Sequence, residues 1–166
     1  MTMETMETMY RTKVDSPIGD ILIEGNDESI TKLGRIGGGY NSEEWVPVNR
    51  FAAIKEAAQQ LDAYWSGGLF DFDLPLAPGG TPFQNKVWAA LRTIPYGKTA
   101  SYGDIARKIG SPTASRAVGA ANGRNPIAIV VPCHRVIGAN GTLTGYAGGL
   151  DMKRALLTHE SRFVRS

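Results

Sequence analysis

Apolar residues recur at helical spacing in two long stretches and in short strand-like runs elsewhere. From Phe51 to Trp65, the residues Phe51, Ile54, Ala58, Leu61 and Trp65 share one face of a predicted helix that Ser66-Gly67-Gly68 ends. A second helix starts at Thr81-Pro82-Phe83-Gln84, with Thr at the N-cap, Pro at N1 and Gln at N3. Its buried stripe is Phe83, Val87, Trp88, Leu91 and Ile94, and Ile94-Pro95-Tyr96-Gly97 stops it. Before Phe51 the pattern is different. Tyr10 to Val48 holds short β-rich pieces such as Ile21-Leu22-Ile23, broken by Asp-Ser-Pro, Gly-Asn-Asp and Gly37-Gly38-Gly39. Such a segment predicts a small antiparallel sheet with turns.

Two short helices follow in quick succession. Ser101 caps the first with Asp104 at N3, Ile105, Ala106 and Ile109 are its apolar positions, and Gly110 ends it. The second starts at Thr113 or Ala114, runs to about Asn122 and carries Arg116 among Ala114, Ala117, Gly119, Ala120 and Ala121. The pair reads as a helix-turn-helix. A face so poor in bulk permits close approach to a nucleic-acid groove, although tight helix–helix packing uses the same composition. Beyond it, Asn140-Gly141 between Val136-Ile137 and Thr142-Leu143 reads as a hairpin turn. Asp151 is expected to cap a final helix through Glu160.

Charge sharpens the picture. The 166-residue chain is 42% hydrophobic and 20% charged, with a net charge of only +2. From Lys98 to Arg135, however, six basic residues face Asp104 alone, while the remainder carries 12 basic and 15 acidic residues. Segregation of this kind directs the middle segment towards a polyanion, with an unpartnered solvated face as the alternative. No stretch is apolar and long enough to span a bilayer, and none reads as a secretion signal. The single cysteine excludes an internal disulfide and a multi-cysteine zinc site, and suits a reducing cytoplasm.

That cysteine lies in Ile127 to Val136, Ile-Ala-Ile-Val-Val-Pro-Cys-His-Arg-Val, where an apolar run delivers Cys133 beside His134, one of two histidines. Pro132 fixes φ just before it, so the thiol sits at a defined turn. A lone thiol beside a histidine reads as a nucleophile, and a buried structural cysteine fits the same pattern.

The order of the motifs resembles one family. Arg116-Ala117-Val118-Gly119, Asn125-Pro126 and Pro132-Cys133-His134-Arg135 are similar to the O6-alkylguanine-DNA alkyltransferases. Ser101-Tyr102, Gly145-Tyr146-Ala147-Gly148-Gly149 and Leu156-Leu157-Thr158-His159-Glu160 match the same family in the same order. The resemblance runs from about Thr81 to Glu160 and is looser before Pro78, where it rests on Asp15-Ser16-Pro17-Ile18-Gly19 and Tyr64-Trp65-Ser66-Gly67.

The resemblance implies a repair protein that moves an alkyl group irreversibly from O6-alkylguanine, and from O4-alkylthymine, onto its own cysteine. The reagent would be Cys133, activated through a water by His134 and Glu160, with His159 a bystander. Tyr102 would donate to the base N3 and Asn125 would brace the turn. Val136, Tyr146, Ala147 and Gly148 would form the base pocket, with the carbonyls of Cys133 and Val136 and the amide of Ala147 reading the base. Arg116 would enter the base stack in place of a nucleotide flipped through the minor groove. Ser115, Ala117 and Gly119 would allow close approach, with Gln84 and Ser111 as further DNA contacts. The implied partner is double-stranded DNA carrying O6-alkylguanine. The chain is expected to act as a monomer, with clustering on DNA as an alternative and no membrane partner.

Two departures from the family stand out. The human relative carries a structural zinc in its N-terminal half, where this chain has no cysteine or histidine. No metal and no cofactor are therefore expected. Ala147 stands where some members have serine, which leaves the tolerance for bulky O6 substituents open.

The fold class expected is α/β (α+β). Residues 1–9 form a disordered tail, 10–76 an N-terminal domain of small antiparallel sheet and helix, and 77–166 a mainly helical catalytic and DNA-binding domain. The competing functions are a non-catalytic alkylguanine-binding relative, a cysteine hydrolase and an ordinary helix-turn-helix regulator. The first lacks the cysteine, the second needs a directly facing histidine, and the third has no use for the relay or the glycine-rich loop.

Overall fold

The structure is a computed structural model, and it describes residues 8–36, 44–141, 143, 146 and 149–163. Most of the Thr-Met-Glu tail, the Gly37-Gly38-Gly39 turn, Gly145, Ala147 and Gly148 lie outside the described residues.

Strands β1 (Tyr10–Val14), β2 (Ile21–Gly25) and β3 (Ile30–Arg35) form an antiparallel sheet in sequence order. Val14 lies opposite Ile21, and Ile21 in turn lies opposite Arg35. Helix α1 (Ala52–Trp65) packs against β2 and β3. Phe51 supplies no side-chain cap, and the first amide of the helix donates instead to Asp27 Oδ1 in the β2–β3 turn at 2.8 Å. This tether satisfies one of the donors that every helix start leaves unpaired.

The inward face of α1 is Ala53, Ile54, Ala57, Leu61 and Tyr64. The spacing predicted Ala58 and Trp65 instead, and these lie on the half-buried flank. The alanines on both faces leave the helix's rotation undetermined by hydrophobicity alone. Tyr64 faces inward because its hydroxyl finds a buried carboxylate there.

The chain after α1 does not simply link two bodies. Ile30 exchanges backbone hydrogen bonds of 2.8 Å with Pro75 and Ala77, and Leu33 pairs likewise with Pro126 and Ala128. The outer edge of β3 is thus covered by the connector and by the segment leading to the cysteine. One hydrophobic cluster runs from Ile21 and Ile54 through Leu91 to Val136 and Leu156. Each such fully buried aliphatic side chain contributes about 1.5–3 kcal/mol.

Helix α2 (Pro82–Leu91) begins with the full capping box at Thr81 and Gln84. Val87, Trp88, Leu91 and Ile94 are buried as the stripe predicted, with Phe83 half-buried. Trp88 donates its indole N–H to the Ala121 carbonyl at 2.9 Å, pinning α2 to the later helix α4 (Ser115–Gly123). Between them, β4 (Ala100–Ser101) leads into α3 (Tyr102–Lys108), where Ser101 and Asp104 form the second expected capping box. Gly110 then turns the chain with φ +78° towards α4.

Two features near the C-terminus differ from a reading of local sequence. Strand β5 (Val136–Ile137) pairs in parallel with β4, and Thr142 of the expected hairpin arm lies outside the described residues. The Asn140-Gly141 turn itself is present, with Gly141 donating to the Gly138 carbonyl at 2.8 Å. Helix α5 (Leu150–Arg162) is capped by Gly149 at φ +97°, with no side-chain cap from Asp151. Asp151 instead receives Arg35 of β3 on both carboxylate oxygens, at 3.0 and 3.2 Å.

Candidate active site

Cys133, His134 and Arg135 form a short 3-10 turn immediately after the apolar run. The approach to it is strained. Ile129 has φ +71°, a left-handed conformation that a β-branched residue adopts at a cost of about 1–3 kcal/mol. Asn125 holds the turn in place, donating Nδ2–H to the Val131 carbonyl at 2.8 Å and accepting the Ile127 amide at 3.0 Å. Asn122 adds a longer contact, 3.4 Å, to the Cys133 carbonyl.

Cys133 is 4% exposed and lines a pocket of about 270 Å³. Leu33 and Gly34 of β3 and Asn122, Asn125 and Tyr146 are among the residues that line it with Cys133. Burial pushes the Cys133 thiol above its ordinary range, while Asn125, Tyr146 and the Lys153 ammonium pull it partly back. Lys153, itself buried, donates to the Val136 carbonyl at 2.6 Å. Burial and the adjacent Cys133 hold the Tyr146 hydroxyl in its neutral form, well above the usual phenol range. At rest the site therefore holds a thiol rather than a thiolate, so it needs a base.

The neighbouring histidine is turned towards a carboxylate. His134 is fully buried, with Nε2 2.7 Å from Glu160 Oε2. Arg135 donates Nε–H to Glu160 Oε1 at 2.8 Å and Nη2–H to Oε2 at 3.1 Å, and its Nη1 reaches the Ile94 carbonyl at 2.7 Å. The Tyr64 hydroxyl donates to the same Oε2 at 2.7 Å. Burial alone would raise the Glu160 carboxyl, but its bonds to His134 and Arg135 overcome that and hold it well below the carboxylate range. An ionised carboxylate only accepts, so the network assigns the His134 proton to Nε2. Nδ1 is left as a buried acceptor with no partner among the described residues. Burial lowers the His134 pKa, against the pull of Glu160, so the ring rests neutral. A neutral imidazole with one free lone pair is a general base.

Both shifts have the same consequence for stability. His134 and Glu160 titrate below their ordinary values of 6.5 and 4.5, so the unfolded chain takes up protons first as the pH falls. We expect the melting temperature to hold at neutral pH. It should drop from about pH 6.5 downward as unfolded His134 charges, and fall further below about pH 4.5 with Glu160. Thermal melts in a pH series check this, and a melting temperature flat down to about pH 4 contradicts it.

Four residues of this site escaped the sequence reading: Tyr64, Asn122, Arg135 and Lys153. Arg135 carried a signal, because an arginine in an apolar run needs a buried carboxylate partner. The other candidates divide clearly. Arg116 and Ala117 are exposed on α4, with Ser115 and Gly119 half-buried beside them. Tyr102 stands at the start of α3 with its ring against Gly119, where an added Cβ would come within 3.7 Å of it.

Gln84 uses its side-chain oxygen to accept the Thr81 amide in the capping box, and Ser111 accepts the Ala114 amide in the turn before α4. The Cys133 carbonyl accepts the Val136 amide, and the Val136 carbonyl accepts Lys153, so both serve the turn within the folded chain. His159 donates Nε2–H to the Tyr64 carbonyl at 2.8 Å. Ala147 and Gly148 lie outside the described residues. Among the described residues no group of three His, Cys, Asp or Glu side chains could hold a metal ion, and no helix is long and apolar enough to cross a membrane.

The fold and site define a chain in which a helix-turn-helix precedes a buried Cys-His-Glu cluster, with a small sheet domain covering one side. Two family models account for nearly all of it. Residues 82–162 match the 6-O-methylguanine DNA methyltransferase DNA-binding domain, and residues 9–78 match the ribonuclease-like domain of the same proteins. The chain is 55% identical over 155 residues to the methylated-DNA–protein-cysteine methyltransferase of Methanosarcina acetivorans, covering 92% of this chain and 98% of that protein. The crystal structure of the Mycobacterium tuberculosis O6-methylguanine methyltransferase superposes with a TM-score of 0.85 at 49% identity, covering 96% of each chain. The structure of that organism's protein in complex with DNA matches with a TM-score of 0.83 at 50% identity, covering 95% of this chain and 96% of that one. The chain belongs to the methylated-DNA–protein-cysteine methyltransferase family.

Proposed function

We propose that this protein repairs DNA by transferring the alkyl group of O6-alkylguanine to Cys133, once per molecule. The observation that carries the assignment is the buried thiol beside a neutral His134 that is fixed from behind by an ionised Glu160. In the reaction the bond from the alkyl carbon to O6 breaks as the bond from carbon to sulfur forms. The thiol proton passes by way of a water to Nδ1 of His134, and Glu160 stabilises the imidazolium that results, as the carboxylate does in hydrolase triads. The electron pair leaves with the guanine, and the Tyr102 hydroxyl donates to N3 of that departing base. A thioether has no hydrolytic route back to the thiol, so the protein is consumed.

A stacked base cannot reach a thiol this deep, and extruding one costs a few kcal/mol. Arg116 offsets that cost by filling the gap in the stack. Its exposure at the start of α4, beside Ala117 and Ala120, supports this reading. The basic segment from Lys98 to Arg135 adds phosphate contacts without sequence preference. We read residues 77–166 as the part that binds DNA and reacts, and 10–76 as the domain that supports it. The protein acts as a monomer on double-stranded DNA.

Single-turnover assays with duplex O6-methylguanine DNA test the function: methyl incorporation should saturate at one per chain, and continued turnover would overturn it. Replacing Arg116 by alanine should slow repair of the duplex about ten-fold or more while affecting reaction with free O6-benzylguanine far less. Equal losses on the two substrates would remove Arg116 from base flipping.

A further inference from the structure

The geometry points to Tyr64 of the N-terminal domain as a positioning residue for alkyl transfer, acting on the base His134 through the Glu160 carboxylate. This inference rests on the relay proposed above. Tyr64 is wholly buried on α1, 96 residues away from Glu160 in sequence, yet its hydroxyl lies 2.7 Å from Oε2. That oxygen is the one that accepts His134 Nε2–H, also at 2.7 Å. Two short donors on one carboxylate oxygen compete for the same electron density. Tyr64 therefore limits how strongly Glu160 pulls on the imidazole, and His134 remains a free base at neutral pH.

The tyrosine is well suited to this task. Its hydroxyl is held far from ionisation by burial and by the Glu160 charge, so it is a donor at every working pH. Its ring is fixed by Phe72, Tyr96 and His159, with centroids 5.4, 6.1 and 4.7 Å away. The other charged and titratable groups around the pair come from several elements. Arg135 bonds Glu160 directly, Tyr96 lies 5.6 Å beneath the Arg135 guanidinium, and Lys153 on α5 opposes a charge on His134. His159 bonds the Tyr64 carbonyl, Tyr146 feels the Glu160 charge, and Cys133 directly precedes His134. Among the described residues, Tyr64 is the one side chain bonded to Glu160 that comes from the N-terminal domain. The contact makes that domain a participant in setting the base as well as a cover for the core.

Replacing Tyr64 by phenylalanine keeps the ring and removes only the donor. Glu160 then holds the imidazolium more tightly, His134 gains a proton at higher pH, and the acid limb of the transfer rate moves up. Loss of one hydrogen bond to a carboxylate corresponds to a shift of about one pH unit. The test is the single-turnover rate of methyl transfer from duplex DNA, by wild type and Tyr64→Phe, across the acid range. An upward shift of the acid limb is expected, and an acid limb that stays in place or moves down overturns the inference. A purely packing role for Tyr64 would lower the melting temperature without moving that limb.

A second measurement needs no substitution. In the full chain labelled with carbon-13 at tyrosine Cζ, the Tyr64 resonance should follow the protonation of His134, and a resonance indifferent to it overturns the coupling. Failure of wild-type protein to accept methyl at all would overturn the proposed function instead, which keeps the two outcomes distinct.

Discussion

Cys133→Ser protein should fold, bind duplex DNA and transfer no measurable alkyl group. The substitution replaces sulfur by a smaller oxygen at a buried position, so the turn held by Asn125 and Pro132 is kept. The chemistry is not. A serine hydroxyl is a far weaker nucleophile than a thiol at neutral pH, and a neutral imidazole must remove a much less acidic proton from it. Of the three residues of the 3-10 turn, only Cys133 lines the pocket. No other cysteine exists in the chain to take over. Retained DNA binding with complete loss of transfer separates recognition from reaction. Residual transfer above about one-thousandth of wild type would mean that another group accepts the alkyl.

Glu160→Gln should have the second largest effect, on rate and stability together. Glutamine keeps the shape but loses the negative charge that supports the His134 imidazolium. General-base assistance of this kind is worth about 100- to 10,000-fold in rate, and the transfer rate should fall within that range. The same change leaves Arg135, which is 5% exposed, without its counter-charge. Breaking a buried ion pair from one side typically costs about 3–5 kcal/mol, because the remaining charge stays desolvated. The melting temperature should therefore fall sharply, and replacing Arg135 by methionine in the same chain should restore part of the loss. If Glu160→Gln protein reacts at the wild-type rate, the carboxylate is structural and the relay ends at His134.

These two expectations come from parts of the molecule that the amino-acid sequence revealed unequally. Local chemistry was legible. The capping boxes at Thr81 and Ser101 form as read, because the bonds of a helix start join residues three apart. The convergence of Cys133, His134 and Glu160 followed from resemblance, and the structure brings His134 and Glu160 within hydrogen-bonding distance. What could not be read was anything set by a distant partner. The parallel pairing of β5 with β4, 36 residues earlier in register, has no local signal in either segment. Asp151 has the chemistry of a helix cap, but Arg35 on the edge strand claims its carboxylate while Gly149 makes the turn. Tyr64 falls outside the apolar face that the spacing predicts, and nothing near it in sequence marks its hydroxyl as a partner for Glu160. Lys153, on a helix rich in polar residues, reads as solvated until the Val136 carbonyl is found against it.

The helix-turn-helix lies between these cases. Its two helices and turn are where the pattern put them, and Arg116 is exposed as an inserted arginine must be. The half-buried Tyr102 of α3 sets its ring beside Gly119 of α4. A methyl group at position 119 would meet that ring at 3.7 Å, an ordinary contact distance.

The central claim is that one thiol, set up by a histidine and a carboxylate behind it, accepts the alkyl group. The most direct test is peptide-resolved mass spectrometry of the protein after reaction with an excess of duplex DNA containing O6-methylguanine. The account predicts a single added methyl per chain, located on Cys133, with the DNA recovered as guanine. A methyl on any other residue, or repaired DNA with Cys133 unmodified, would contradict it.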